Sequence, residues 1–194
     1  MTKKSTQKKM QIKLLLLDFD GTLADTRRAN TLGYIDALAE EGYNLTEELY
    51  LQKYFGLRCS EFLRDIGYTN EEDIERIRRR KIELYPTHFD TVKLNKPLWD
   101  FVQNFRAQGG KAWVVSTGHR ENVTNAMRYL GIEDGFDGIL TSEAVENSKP
   151  APDCFLKAME IEGVTPAETL IFEDSEVGIE AARRSGAGYF VVKL

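Results

Sequence analysis

Two carboxylates stand two residues apart where an apolar run stops: Leu14-Leu15-Leu16-Leu17-Asp18-Phe19-Asp20-Gly21-Thr22-Leu23. Side chains alternate along a strand, so Asp18 and Asp20 share a side of the chain. Two acids placed together at a buried strand end repel each other, and a cation or a shared proton must relieve that repulsion. Such a pair has a defined chemistry. One carboxylate can attack phosphorus and form an aspartyl-phosphate. The second can give the leaving alcohol its proton. A hard divalent cation such as Mg²⁺, which prefers oxygen ligands, would hold the attacking carboxylate against the anionic phosphoryl group. The plain alternative is a pair of acids that only solubilises a loop.

The elements that must position this pair are legible around it. A short apolar run ended by a turn signal suits a buried strand. In an open α/β sheet, ligands bind at the carboxyl ends of the strands. Four further runs read the same way: Ala112 to Val115, Phe136 to Leu140, Thr169 to Phe172 and Tyr189 to Val192. Helical patterns separate them. Leu98, Phe101, Val102 and Phe105 make one stripe after Pro97, and Val123, Met127 and Leu130 another. Asp153 to Ile161 and Val177 to Ser185 supply two more helices. Strand–helix alternation implies right-handed crossovers and a parallel, helix-covered sheet.

One stretch breaks this alternation. From Asp25 to about Leu94 the chain reads as helix throughout. Leu32, Ile35, Leu38 and Ala39 form the expected inner face of its first helix, and Thr46 opens a short second one. Ser60 to Ile66 is a third. Asn70 caps a fourth, which carries Ile74, Ile77 and Lys81 at helical spacing. Arg78, Arg79, Arg80 and Lys81 read as a solvated face, with Lys81 or Arg58 able to reach a neighbouring site. The expected organisation is therefore a basic tail over 1–11, a core over 12–24 and 95–194, and a helical subdomain inserted over 25–94.

Three other strand ends or nearby loops carry residues of complementary type. Ser116 and Thr117 precede a helix, where backbone N–H groups favour anions. Lys149 sits in a Pro-rich loop, and Glu173 and Asp174 follow the fourth strand. One lysine among several acids at one sheet edge suits a metal plus a phosphate, and catalysis of phosphoryl transfer is largely such positioning. His119, beside Ser116 and Thr117, reads as a solvated loop residue with at most a minor substrate role.

Composition narrows the class. The 194 residues are 42% hydrophobic and 29% charged, and the net charge of −5 gives no global reason to expect a nucleic-acid partner. Two cysteines, Cys59 and Cys154, form no framework, so a reducing cytoplasmic setting is expected. No apolar run approaches the roughly 20 residues of a membrane helix. The lysine-rich start is followed by too short an apolar run for a secretory signal.

The four motifs resemble those of the haloacid dehalogenase-like hydrolase superfamily. They are Asp18-Phe19-Asp20-Gly21-Thr22-Leu23, Ser116 after an apolar strand, Ser148-Lys149-Pro150-Ala151-Pro152-Asp153, and Phe172-Glu173-Asp174-Ser175. They stand in the family's order and span nearly the whole chain. The resemblance implies a Rossmann-like core with strand order 5-4-1-2-3 and a helical cap between the first and second motifs. It implies Asp18 as nucleophile and Asp20 as general acid/base, with Ser116, Thr117 and Lys149 on the phosphate. Mg²⁺ would be held by the Asp18 carboxylate, the Asp20 main-chain carbonyl, Asp174 and Glu173. The dehalogenating branch lacks an acid at the place of Asp20, so phosphoryl chemistry is implied. A phosphatase of a small phosphorylated metabolite, of sugar-phosphate or phosphoglycolate type, is the leading expectation. A β-phosphoglucomutase-like mutase is the alternative, although the position of that mutase's cap histidine is Asn30 here. A non-catalytic binding domain is a third reading, which would not require the full set. Relatives usually continue past the fifth strand, so the sheet edge near Leu194 is expected to be less covered.

Overall fold

The computed structural model describes residues 11–194. The stretch read as a basic tail lies outside them apart from Gln11. The chain opens with β1 (Leu14–Leu17), turns tightly, and passes through a two-residue β2 (Ala24–Asp25). A run of helix follows: α1 (Arg27–Glu40), a short α2 (Glu47–Leu49) widening into a π-type turn over Tyr50–Tyr54, α3 (Cys59–Asp65) and α4 (Glu71–Leu84). A 3-10 stretch over Tyr85–Thr91 leads to β3 (Lys93–Leu94). Then strand and helix alternate through α5 (Lys96–Ala107), β4 (Lys111–Val115), α6 (Arg120–Tyr129), β5 (Gly138–Leu140), α7 (Asp153–Glu162), β6 (Thr169–Glu173), α8 (Glu176–Ser185) and β7 (Gly188–Val191).

β1 is the middle of a parallel sheet of order β7-β6-β1-β4-β5. Counted along the chain within this sheet, the order is 5-4-1-2-3, as expected. Leu17 pairs with Val114 on one side and Phe172 on the other. A parallel sheet needs both faces covered, and the period of two divides β1 between two cores. Leu15 and Leu17 pack with Val102 of α5 and Met127 of α6. Leu14 and Leu16 pack with Phe155 of α7 and Ala181 of α8. The helices between β2 and β3 have a third core of their own, built on Tyr34, Leu38, Phe62, Ile74 and Ile77. Caps fix where these helices start: the Asn70 side chain accepts from Glu72 N at 3.0 Å, and that of Ser175 from Gly178 N at 3.1 Å. Among the described residues no helix is long and apolar enough to cross a membrane.

Three local readings differ from the structure. The stretch read as all helix begins and ends in strand, because Ala24 and Asp25 pair antiparallel with Leu94 and Lys93. A two-residue ribbon is too short to leave a periodic trace. The inner face of α1 is Ala29, Thr31, Gly33, Tyr34, Ala37 and Leu38, whereas Leu32 and Ile35 are half-buried and Ala39 is exposed. Here α1 lies close against α4: a Cβ on Gly33 would come within 3.5 Å of Lys81 Cε and 3.6 Å of the Tyr85 backbone. Small and polar residues make that approach possible, and an apolar count cannot see them. Phe101 is 47% exposed, its ring tilted against Phe172 at the β7 side of the sheet.

Candidate active site

The apolar run of β1 delivers Asp18 to the carboxyl edge of the sheet, where its backbone N–H still donates to Phe172 O at 3.0 Å. The chain then reverses through Gly21, at φ +95°. That glycine is required twice over. L side chains rarely adopt this φ, and a Cβ there would lie 2.2 Å from Asp174 Oδ2. Close approach lets Thr22 Oγ1 donate to Asp174 Oδ1 at 2.9 Å, joining the first and fourth strand ends.

Asp18 and Asp20 take different partners. Buried Lys149 donates to Asp18 Oδ1 at 2.7 Å, to Val115 O at 3.0 Å, and to Glu173 Oε1. The cation that relieves the crowded acids is thus an ammonium group. Burial pushes the Asp18 carboxyl well up; Lys149 pulls against that, and the carboxylates of Glu173, Asp174 and Asp20 push further. Burial by itself would lower Lys149, but Asp18 and Glu173 more than reverse it, so the ammonium is held above an ordinary lysine. Glu173 is fully buried. Its second oxygen accepts from Asp174 N, Ser175 N and Ser175 Oγ at 3.0, 3.2 and 3.1 Å, so its carboxylate also fixes the turn that carries Asp174.

Asp20 turns toward the helical insert. Its Oδ1 accepts from Thr26 Oγ1 and, at 2.9 Å, from Asn30 Nδ2. Asn30 Oδ1 in turn accepts from Lys81 Nζ at 2.7 Å. Lys81 is 2% exposed, 3.9 Å above the Tyr85 ring, and burial lowers it to about 8 against the pull of Asp20. The solvated-face reading therefore fails for Lys81, and it holds for Arg79, whose side chain is 74% exposed. On the core side, Ser116 Oγ reaches Asp20 Oδ2 at 3.4 Å and accepts from Gly118 N at 2.9 Å. Thr117 Oγ1 donates to Gly56 O of the insert at 3.1 Å.

These groups surround one cavity of about 330 Å³ between the sheet edge and the insert. Asp18, Asp20, Thr117 and Lys149 line its floor, and Asn30, Lys81, Arg58 and Arg78 line its upper part. Ser116, Glu173 and Asp174 lie beside it rather than on its wall. Arg58 crosses from the insert to the core, donating to the carbonyls of Ser142, Val145 and Glu146 at 3.1 to 3.2 Å. His119 is not a free loop residue: its Nε2 lies 2.8 Å from Glu143 Oε1, and burial lowers its pKa. Among the described residues, four side-chain polar atoms are buried without a partner: Arg58 Nε, Arg78 Nη1, His119 Nδ1 and Asn122 Oδ1. All four belong to residues that line this cavity. Leaving such an atom unpaired costs about 1–3 kcal/mol.

The donor set for a metal is present. One carboxylate oxygen each from Asp18, Glu173 and Asp174 lie within 4.8 Å of one another. Burial raises Asp174 to about 6, with the Thr22 hydrogen bond opposing it and the Glu173 carboxylate adding to it. An all-oxygen, carboxylate-rich set suits a hard cation. The Asp20 carboxylate lies outside this group and faces Thr26 and Asn30 instead.

Sequence reading missed Thr26, Asn122 and the relay from Asp20 through Asn30 to Lys81. The only available signal was the Thr26–Asn30 spacing, one turn apart at a helix start. A threonine there ordinarily caps its helix, whereas this side chain makes no capping bond.

A parallel sheet of this order, with an acid pair, a lysine and further acids at its carboxyl edge, defines a hydrolase of the haloacid dehalogenase type. The profile of that family, described as haloacid dehalogenase-like hydrolase, matches residues 15–192, and the chain belongs to it. Two relatives show the range of named activities. Fructose-1-phosphate phosphatase YqaB of Escherichia coli is 29% identical over 183 residues, covering 93% of this chain and 96% of its own. Pyrophosphatase PpaX of Bacillus cereus is 25% identical over 186 residues, covering 91% and 81%. Among solved structures, CbbY from Rhodobacter sphaeroides in complex with phosphate superposes with a TM-score of 0.84 at 25% identity, covering 95% of this chain and 87% of that one.

Proposed function

We propose that this chain is a Mg²⁺-dependent phosphatase that hydrolyses a small phosphorylated metabolite through an aspartyl-phosphate on Asp18. The observation that carries this reading is the division of labour in the acid pair: Asp18 is tied to Lys149, while Asp20 is held by Thr26 and Asn30, and both line one cavity. An Asp18 oxygen attacks phosphorus and the bond to the leaving oxygen breaks. Asp20 gives that oxygen its proton. Asp20 then takes a proton from the water that attacks the acyl-phosphate, releasing phosphate and restoring Asp18. Lys149, with Ser116 and Thr117, would neutralise and orient the phosphoryl oxygens. Asp18, Asp174, the Asp20 carbonyl and Glu173 would hold Mg²⁺, which when bound supplies positive charge to the carboxylates and the phosphoryl group. Glu173 serves this ligand set chiefly by fixing Lys149 and the Asp174 turn.

In this reading residues 25–94 act as a cap over a core of 12–24 and 95–194, and the free thiols of Cys59 and Cys154 suit a reducing cytoplasm. No nucleic-acid or membrane partner is invoked. The test is phosphate release with Mg²⁺ over a panel of sugar phosphates, phosphoglycolate and nucleotides. Asp18→Asn is expected to lower kcat by about 10⁴-fold or more while leaving the circular dichroism spectrum unchanged. Wild-type rates in that variant would remove Asp18 from its role. Interconversion of β-glucose 1-phosphate and glucose 6-phosphate without net release would make the chain a mutase instead.

A further inference from the structure

We propose that Lys81 is a positioning residue for proton transfer: through Asn30 it fixes which oxygen of Asp20 gives its proton to the leaving group. The inference rests on the phosphatase reading, in which Asp20 is the acid, and deepens it by naming the group that aims that acid.

Lys81 is an unusual residue for the face it occupies. Its side chain is buried, with Asn30 Oδ1 as hydrogen-bond acceptor at 2.7 Å and the rings of Tyr34 and Tyr85 at 5.1 and 3.9 Å. The close approach of α4 to Gly33 of α1 puts it there, and Arg76 and Arg80 of α4 clasp Glu41 and Glu40. Replacing buried charges by apolar side chains of like volume is often neutral or stabilising, so packing alone does not account for a lysine at this place.

The chemistry of the neighbouring amide does. An asparagine side chain has an acceptor end and a donor end, and a half-turn exchanges them. Lys81, lowered by burial only to about 8, is an ammonium at neutral pH. An ammonium donates and never accepts, so it holds Oδ1 of Asn30 toward itself. Nδ2 is then turned toward Asp20 Oδ1 at 2.9 Å and Thr26 Oγ1 at 3.1 Å. Thr26 Oγ1 donates to the same Asp20 oxygen. Asp20 Oδ1 therefore meets donors, and a proton carried there would point at N–H and O–H groups. The proton is placed on Oδ2 instead, on the core side, where Ser116 Oγ lies at 3.4 Å. From Oδ2 it passes to the leaving oxygen as the bond from phosphorus to that oxygen breaks, and the electron pair of that bond takes up the proton. Asp20 is left as a carboxylate, ready to take a proton from the attacking water. Without the ammonium, Asn30 is free to turn its carbonyl to Asp20, which draws the proton to Oδ1, on the side of the insert.

The test compares two phosphate monoesters of similar size whose leaving groups differ in their need for a proton. Benzyl phosphate leaves as an alcohol and needs the acid. The p-nitrophenyl ester leaves as a stabilised phenolate and does not. The quantity measured with Mg²⁺ is the ratio of kcat/KM for p-nitrophenyl phosphate to that for benzyl phosphate. Each kcat/KM reads the barrier from free enzyme to the transition state, and a lowered folded fraction cancels in the ratio. Asp20→Asn is expected to raise the ratio about 100-fold or more. Lys81→Met is expected to raise it at least about ten-fold. Asn30→Asp, which keeps an acceptor for Lys81 but sets a second acceptor against Asp20 Oδ1, is expected to do the same. A merely structural Lys81 would slow both esters together, so a ratio within about two-fold of wild type in Lys81→Met overturns the proposal. That result beside a large change in Asp20→Asn removes Lys81 alone and leaves the phosphatase reading standing. An unchanged ratio in Asp20→Asn removes Asp20 as the acid, and the role of Lys81 with it.

Discussion

Lys149 and Glu173 form an ion pair closed off from water, and this sets the behaviour of both residues. Charges removed from water must be paired and hydrogen-bonded, and removing one partner leaves the other uncompensated. Glu173→Ala is expected to cost about 3–5 kcal/mol in a urea titration, because it takes a partner from buried Lys149 and releases the Asp174 turn. A loss under about 1 kcal/mol would mean that the pair has little structural weight. Asp174 carries a second prediction at this scale. Its carboxyl is raised to about 6 in the folded chain, so the folded state holds a proton that the unfolded chain gives up near pH 4. That stabilisation is present below about pH 4 and lost as pH rises through about 6. Metal-free protein should therefore melt at a lower temperature at pH 7.5 than at pH 5. Asp174→Asn should flatten this trend, and Mg²⁺ should recover stability at pH 7.5. A wild-type melting temperature that rises over that interval, without flattening in Asp174→Asn, would contradict the assignment.

At the scale of elements, the turn after β1 couples two strand ends. Gly21 sits at a φ that costs a residue with a Cβ about 1–3 kcal/mol, and the added methyl would press on Asp174. Gly21→Ala is thus expected to lower the melting temperature and also to raise the Mg²⁺ concentration needed for half-maximal activity. A variant that is merely less stable, with unchanged Mg²⁺ dependence, would show that the turn does not set the ligand position. The ribbon of β2 and β3 has a comparable role. It brings the two crossings between core and insert side by side.

At the scale of the whole molecule, the insert meets the core through an apolar base, where Ala29, Tyr85, Phe89 and Val92 join the core around Leu15 and Leu17, and through polar contacts beside the cavity. Thr117 meets Gly56 O, and Arg58 meets the carbonyls of residues 142, 145 and 146. These contacts surround the cavity, and closing a lid over a phosphoryl-transfer site excludes water from the first transfer. Mg²⁺ with beryllium fluoride as phosphate mimic is expected to slow limited proteolysis within 25–94, and Arg58→Ala is expected to weaken that protection. Cleavage rates indifferent to both additions would end the closure model. The opposite edge of the sheet is more open: all of β7 is at the surface, with Phe190 57% exposed and stacked on Phe172.

What the sequence determined by itself is the framework and its chemistry. The apolar runs, each ending in polar residues, fix a parallel sheet and the edge at which Asp18, Asp20, Lys149 and Asp174 meet, because strand period and crossover handedness leave few topologies. Only the tertiary structure decided how those residues share the work. Asp18 and Asp20 are equivalent in the chain, but Lys149 reaches one and the Asn30–Lys81 relay the other, from positions far along the sequence. Lys81 looks like its arginine neighbours until α4 packs against Gly33 of α1 and buries it. Arg58 and Arg78 of the insert and His119 and Asn122 of the core line one cavity although they lie far apart in the chain. Periodicity reports which residues avoid water, whereas pairing of buried polar groups depends on distances between segments that periodicity does not contain.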